Sequence, residues 1–176
     1  VVALEPPGRG RRYGEPLLTS LDDIVTDLLG ALDLDHPRPL ALFGHSMGGF
    51  AALKAAETAP FVDEVLFLSG WNIGLDGIRS SEDPEAAEKL KTLLGEGARV
   101  LAGTSVEALL GEIAGRRETF DLRNSASALA GKHILLVGAS RDAVTPPEFH
   151  HKLLLEALQK EKDVSAEEAM IDDDHS

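Results

Sequence analysis

An α/β fold, with a mostly parallel sheet flanked by helices, is what this sequence predicts, on three observations. Short continuous apolar runs recur at Val1–Leu4, Leu40–Phe43, Val65–Leu68 and Ile134–Val137. Longer stretches with apolar residues at helical spacing lie between them. The runs also lack polar alternation, which is the pattern of strands covered on both faces, as parallel strands are. With 176 residues, 43% hydrophobic and 27% charged, the chain can bury one domain core.

The elements follow in order. Val1–Leu4 reads as a strand running into the turn-rich Pro6-Pro7-Gly8-Arg9-Gly10. Thr19-Ser20 then caps a helix to Leu32, with Asp22 and Asp23 in its first turn and Leu21, Ile24, Val25, Leu28, Leu29 and Leu32 on one stripe. After Pro37 and Pro39 comes the strand Leu40–Phe43, then an Ala-rich helix from Ser46 to Ala59 closed by Pro60, then the strand Val65–Leu68. From Trp71 the alternation stops. Two helical patterns, about Pro84–Leu94 and Ser105–Ala114, make residues 72–125 an inserted helical cap between core segments 1–71 and 126–176. The β pattern resumes at Ile134–Val137. One helix from about Pro146 to Lys160 follows, its buried stripe marked by Phe149, Leu153, Ala157 and Leu158, with at least one of His150 and His151 on the solvated side. Ala169–Ile171 is a last weak strand leading to Asp172-Asp173-Asp174-His175-Ser176.

Charge and composition exclude several classes. The net charge of −13 repels phosphate backbones and anionic membranes, so neither nucleic acid nor a membrane is expected as a partner. No apolar run approaches a membrane span and no signal peptide opens the chain, which leaves a cytoplasmic location as the expectation. Without cysteine there is no thiol nucleophile, disulfide scaffold or Cys zinc site.

Ligands of open α/β sheets sit at the carboxyl ends of the strands, so the residues after each strand carry the chemistry. After Leu40–Phe43 comes Gly44-His45-Ser46-Met47-Gly48-Gly49, the Gly-x-Ser-x-Gly pattern on a strand-to-helix turn. Such a turn lifts the Ser46 hydroxyl over the sheet edge, needs small residues at 44 and 48, and puts the Met47 N–H at a helix N-terminus, where it can donate to a developing oxyanion. A serine needs a base to take its proton and a carboxylate to orient that base. Asp142 follows the strand Ile134–Val137 and His175 follows the last strand, giving the order Ser, acid, His. Of the other histidines, His45 sits beside the nucleophile as pocket support, and His36 and His133 precede strands, at the far end of the sheet. Trp71 lines the pocket or forms core at the base of the cap. Asp172-Asp173-Asp174-His175 has metal-ligand chemistry, but adjacent residues on a short loop seldom converge on one ion. A solvated acidic loop before the base is the better reading, and no metal is expected. Arg9, Arg11 and Arg12 read as a solvated loop on an acidic protein.

Together these elements resemble the α/β-hydrolase superfamily across essentially the whole chain. The carriers are the elbow around Ser46, the acid loop Gly-x-x-Arg-Asp-x-x-Thr-Pro at 138–146 and the terminal Asp174-His175-Ser176. The Pro7-Gly8-Arg9-Gly10 loop, with Gly14-Glu15-Pro16 after it, is similar to type II thioesterases of peptide and polyketide synthesis. The resemblance implies an α/β-hydrolase fold with a helical cap insertion and a serine hydrolase of carboxylic esters or related acyl bonds, working on a small-molecule acyl substrate without a cofactor. Thioester hydrolysis, an aminopeptidase-like activity and a non-catalytic binding module on the same fold are its alternatives. It also implies a second oxyanion donor, from a loop often reading His-Gly that would stand before Val1, and a final helix beyond His175. The chain is therefore expected to be truncated at both ends relative to the family's domain.

Overall fold

The computed structural model describes residues 3–32, 39–98 and 103–175. The expectations placed on Val1, Val2, His36, Pro37 and Ser176 lie outside the described residues. The sheet has the strands β1 (Leu40–His45), β2 (Val62–Leu68), β3 (His133–Ala139) and β4 (Ser165–Ile171), all parallel and in spatial order β1-β2-β3-β4. The helices are α1 (Leu21–Ala31), α2 (Met47–Thr58), α3 (Ile73–Glu82), α4 (Pro84–Ala98), α5 (Val106–Phe120), α6 (Pro147–His150) and α7 (Lys152–Leu158). A 3₁₀ stretch, Leu122–Leu129, returns the chain from α5 to β3.

Local chemistry sets the boundaries. Ser20 caps α1 by accepting from the Asp23 N–H at 3.1 Å, and Ser105 caps α5 by accepting from Ala108 at 3.2 Å. The core lies between the sheet and α2: Phe50, Leu53, Ala55 and Ala56 meet Val65, Phe67, Ile134 and Leu136, with Leu154 and Leu158 of α7 beside them. Burying the larger of these side chains, the Val, Leu, Ile and Phe, stabilises by ~1.5–3 kcal/mol each.

Several expectations are corrected. Ala3 and Leu4 are irregular rather than strand. Leu4 is partly exposed, without the ladder that would fix it extended. Among the described residues the connecting helices cover one sheet face, not two. The strands run in one spatial direction, and right-handed crossovers taken in one direction all fall on the same side; the other face leaves Phe43 64% exposed. The helix read as Pro146–Lys160 is two, α6 and α7, meeting at His151. Its buried stripe is His150, His151, Leu154 and Leu158, not Phe149, Leu153 and Ala157, so neither histidine is solvated. The unbroken Leu153-Leu154-Leu155 gives no phase, so the sequence did not show which residue faces inward. The segment 73–120 holds a third helix, α3, which carries few apolar residues. It can lie close to α5 because Gly74 and Gly77 face it: a Cβ on Gly74 would come within 2.0 Å of the Asp121 nitrogen.

Candidate active site

The site gathers at the carboxyl ends of β1, β2, β3 and β4. Ser46 stands between β1 and α2 with φ 54° and ψ −121°, a region costly for a residue with a Cβ. The turn is fixed from both sides. The Ser46 N–H donates to the Leu68 carbonyl at 3.0 Å, and the Ser46 carbonyl accepts from Gly49 and from Trp71, each at 3.1 Å. Gly44 is required here, since a Cβ would sit 2.1 Å from the Gly48 oxygen. Gly48 itself is not: a Cβ there meets nothing within 4 Å, and the second tight position is Gly49, against Phe67 and Gly44. The expectation at 48 is thus corrected to 49. Met47 is the first residue of α2, so its N–H belongs to the helix's first turn, where no intrahelical acceptor exists.

Asp142 follows β3 and is buried. One carboxylate oxygen accepts from the Val144 and Thr145 N–H groups at 2.9 and 2.8 Å; the other faces the Thr145 hydroxyl at 2.7 Å and His175 Nδ1 at 2.8 Å. Burial alone would raise its pKa. The hydrogen bonds from Thr145 and His175 outweigh burial and hold the carboxyl below its ordinary value. A carboxylate can only accept, so His175 Nδ1 carries the proton. Nε2 then presents its lone pair to the Ser46 hydroxyl, 3.1 Å away. The residues read from sequence as nucleophile, acid and base therefore lie in one hydrogen-bonded row.

Thr145 is the residue that sequence reasoning missed. Its hydroxyl lies 2.7 Å from Asp142 Oδ2, 3.1 Å from the Ser69 carbonyl and 3.3 Å from His175 Nδ1. Its place in the Thr-Pro of the acid loop was visible, but not its direction. Ser69, after β2, also has a positive φ, 40°. His45 lies against the His175 loop, its Nε2 2.9 Å from the His175 carbonyl. Trp71 donates from its ring to Asp76 at 2.7 Å and packs half-buried on the core, at the root of α3. Asn72 donates to Asp121 at 2.9 Å and accepts from the Leu122 N–H, while the Arg123 guanidinium donates to both oxygens of the Asp121 carboxylate. His133 opens β3 at the opposite end of the sheet. Asp172 pairs with Arg141, and Arg12 with Asp27 and Glu15. Asp22 pairs with Arg116, tying α1 to α5.

This sheet, the strained serine elbow and the loops after β3 and β4 have the α/β-hydrolase fold. The Thioesterase domain family matches residues 1–59. The linear gramicidin dehydrogenase LgrE of Brevibacillus parabrevis is 32% identical over 111 residues, 61% of this chain and 41% of that protein. The medium-chain S-acyl fatty acid synthase thioesterase of Homo sapiens is 39% identical over 57 residues, 32% of this chain and 22% of that protein. The chain thus spans less than half the length of these curated relatives. In structure it is similar to the monoacylglycerol lipase of Paleococcus ferrophilus, with TM-score 0.56 and 20% identity over 97% of this chain and 72% of that one. No helix among the described residues is long and apolar enough to cross a membrane.

Proposed function

We propose that the chain is the catalytic portion of a serine acyl hydrolase with Ser46 as nucleophile, His175 as general base and Asp142 as the acid that orients it. The observation that carries this reading is the row itself: His175 Nε2 3.1 Å from Ser46 Oγ, with Nδ1 2.8 Å from Asp142. His175 takes the hydroxyl proton as Ser46 attacks the acyl carbonyl. Asp142 stabilises the imidazolium that forms, and the Met47 N–H donates to the oxyanion. The imidazolium returns its proton to the leaving group, and water, activated by the same imidazole, releases the acid from the acyl-enzyme. A carboxylic ester is the simplest substrate of this sequence of steps. A second reading, an acyl-thioester, is favoured by the thioesterase match over 1–59, which includes both the Pro7-Gly8-Arg9-Gly10 loop and Ser46.

Labelling with a fluorophosphonate tests the nucleophile. Wild-type protein is expected to label and Ser46→Ala is not; a folded wild type that does not react leaves a non-catalytic module as the better reading. Hydrolysis rates on matched esters, acyl-thioesters and aminoacyl amides then choose the bond.

A further inference from the structure

His175 has an unusual distance to cover. It follows β4, at one edge of the sheet, and its target Ser46 follows β1, at the other. Three strand spacings are ~14 Å. Four residue steps from Ile171 to His175 reach ~14 Å at most. The segment crosses the ends of β3 and β2 with bends at Asp172 and Asp173, and within it the Asp174 N–H donates to the Asp173 carboxylate at 3.0 Å; that contact alone does not place His175.

It is fixed instead at points along its path. At the β3 crossing, the Ser140 N–H donates to the Ile171 carbonyl and the Arg141 N–H to the Asp173 carbonyl, both at 2.9 Å, while the Arg141 guanidinium grips the Asp172 carboxylate. At the β1 end the contact is His45. Alternation along β1 sends His45 to the same face as Ala41 and Phe43, away from α2. Its Nε2 lies 2.9 Å from the His175 carbonyl, with the two rings 5.1 Å apart and tilted by 42°. A carbonyl only accepts, so this nitrogen carries a proton and donates.

Resting on the catalytic reading above, we propose that His45 is a positioning residue: its imidazole N–H fixes the backbone of His175 and so holds the base over Ser46. The elbow thereby supplies two things from adjacent residues, the nucleophile and the anchor for the group that activates it. His45 touches no reacting atom in this role. It acts on where Nε2 sits, and it should matter for the chemical step rather than for substrate affinity.

The test compares wild type, Ser46→Ala, His45→Phe and His45→Gln in fluorophosphonate labelling rate, in kcat and KM on an acyl ester, and in melting temperature. His45→Phe keeps a flat ring but loses the donor, and is expected to slow labelling and lower kcat about tenfold, the worth of one ordinary hydrogen bond, with KM and melting temperature unchanged. His45→Gln restores an N–H and is expected to recover most of the rate. A His45→Phe enzyme as fast as wild type overturns the proposal. So does a raised KM with unchanged labelling rate, which makes His45 a substrate contact. A defect shared by both variants with a lowered melting temperature overturns it too, because it makes the role structural. Wild type that labels no faster than Ser46→Ala is a different failure, since it removes the catalytic reading itself.

Discussion

His175 turns one ring nitrogen toward a carboxylate that solvent does not reach: Nδ1 lies 2.8 Å from Asp142 Oδ2, and the Asp142 side chain is wholly buried. Replacing that carboxylate with an amide changes little in shape and much in proton placement. In Asp142→Asn the amide can donate to Nδ1, leaving Nε2 protonated and unable to accept from Ser46. A fall in kcat on the order of 10⁴, with little change in KM, is expected. Steady-state kinetics on an acyl ester measures it, and a loss of less than about tenfold would assign the acid elsewhere.

Thr145→Val keeps the shape of the side chain and removes its hydroxyl. Asp142 then loses one of its donors, at 2.7 Å. A kcat reduced about tenfold and a stability lowered by ~1–2 kcal/mol are expected, and Thr145→Ser should restore both. Urea unfolding beside the kinetics separates the two effects, because a purely structural residue would move stability alone.

Acid sensitivity should come from the histidines of α6 and α7. Burial, and secondly the neighbouring His150, push the His151 pKa down to about 4. His150 is displaced in the same direction, mainly by burial. The folded chain refuses protons that the unfolded chain accepts at the ordinary value of ~6.5. Stability is therefore full above ~6.5 and falls as pH drops toward 4, by up to ~3 kcal/mol for His151. Asp142 contributes in a lower window, losing its stabilisation only as pH falls through its depressed value. Urea unfolding at pH 7 and pH 5 checks this, and His151→Phe should flatten the difference.

The two elbow glycines should behave differently. Gly44→Ala drives a methyl against the Gly48 carbonyl and is expected to cost ~3 kcal/mol or more, with loss of labelling. Gly48→Ala meets open space within a helix, where alanine is favoured by up to ~1 kcal/mol. Melting temperatures of the two single variants distinguish them, and equal damage would contradict the geometry of the turn.

What could be read in the sequence followed from how strongly burial marks each element. The apolar runs at Leu40, Val65 and Ile134 are central or helix-covered strands, and each lies within the observed β1, β2 or β3. β4 is an edge strand with Glu167 and Glu168 exposed, so its polar first half carried no signal and only Ala169–Ile171 was visible. Helix α3 packs through Gly74 and Gly77, small residues that create contact by absence, beside only two buried apolar side chains, Ile73 and Leu75, too few to mark a stripe in the sequence. The histidines at 150 and 151 misled for the opposite reason: polar residues occupy inward positions, where charge is disfavoured. For the candidate site, strand ends and chain order brought forward Ser46, Asp142 and His175. Thr145 and the anchoring contact of His45 depend on side-chain direction, which spacing does not encode.

The four-residue crossing after β4 has a meaning for reaction rates. A tethered group has an effective concentration at its target, and well-oriented tethers reach values far above any solution of the same reagent. A short span held at Arg141 and at His45 leaves His175 a small volume to explore, so on the proposed catalytic reading its imidazole is a highly concentrated reagent at Ser46. One glycine inserted between Asp173 and Asp174 would dilute that reagent without altering any of its chemistry.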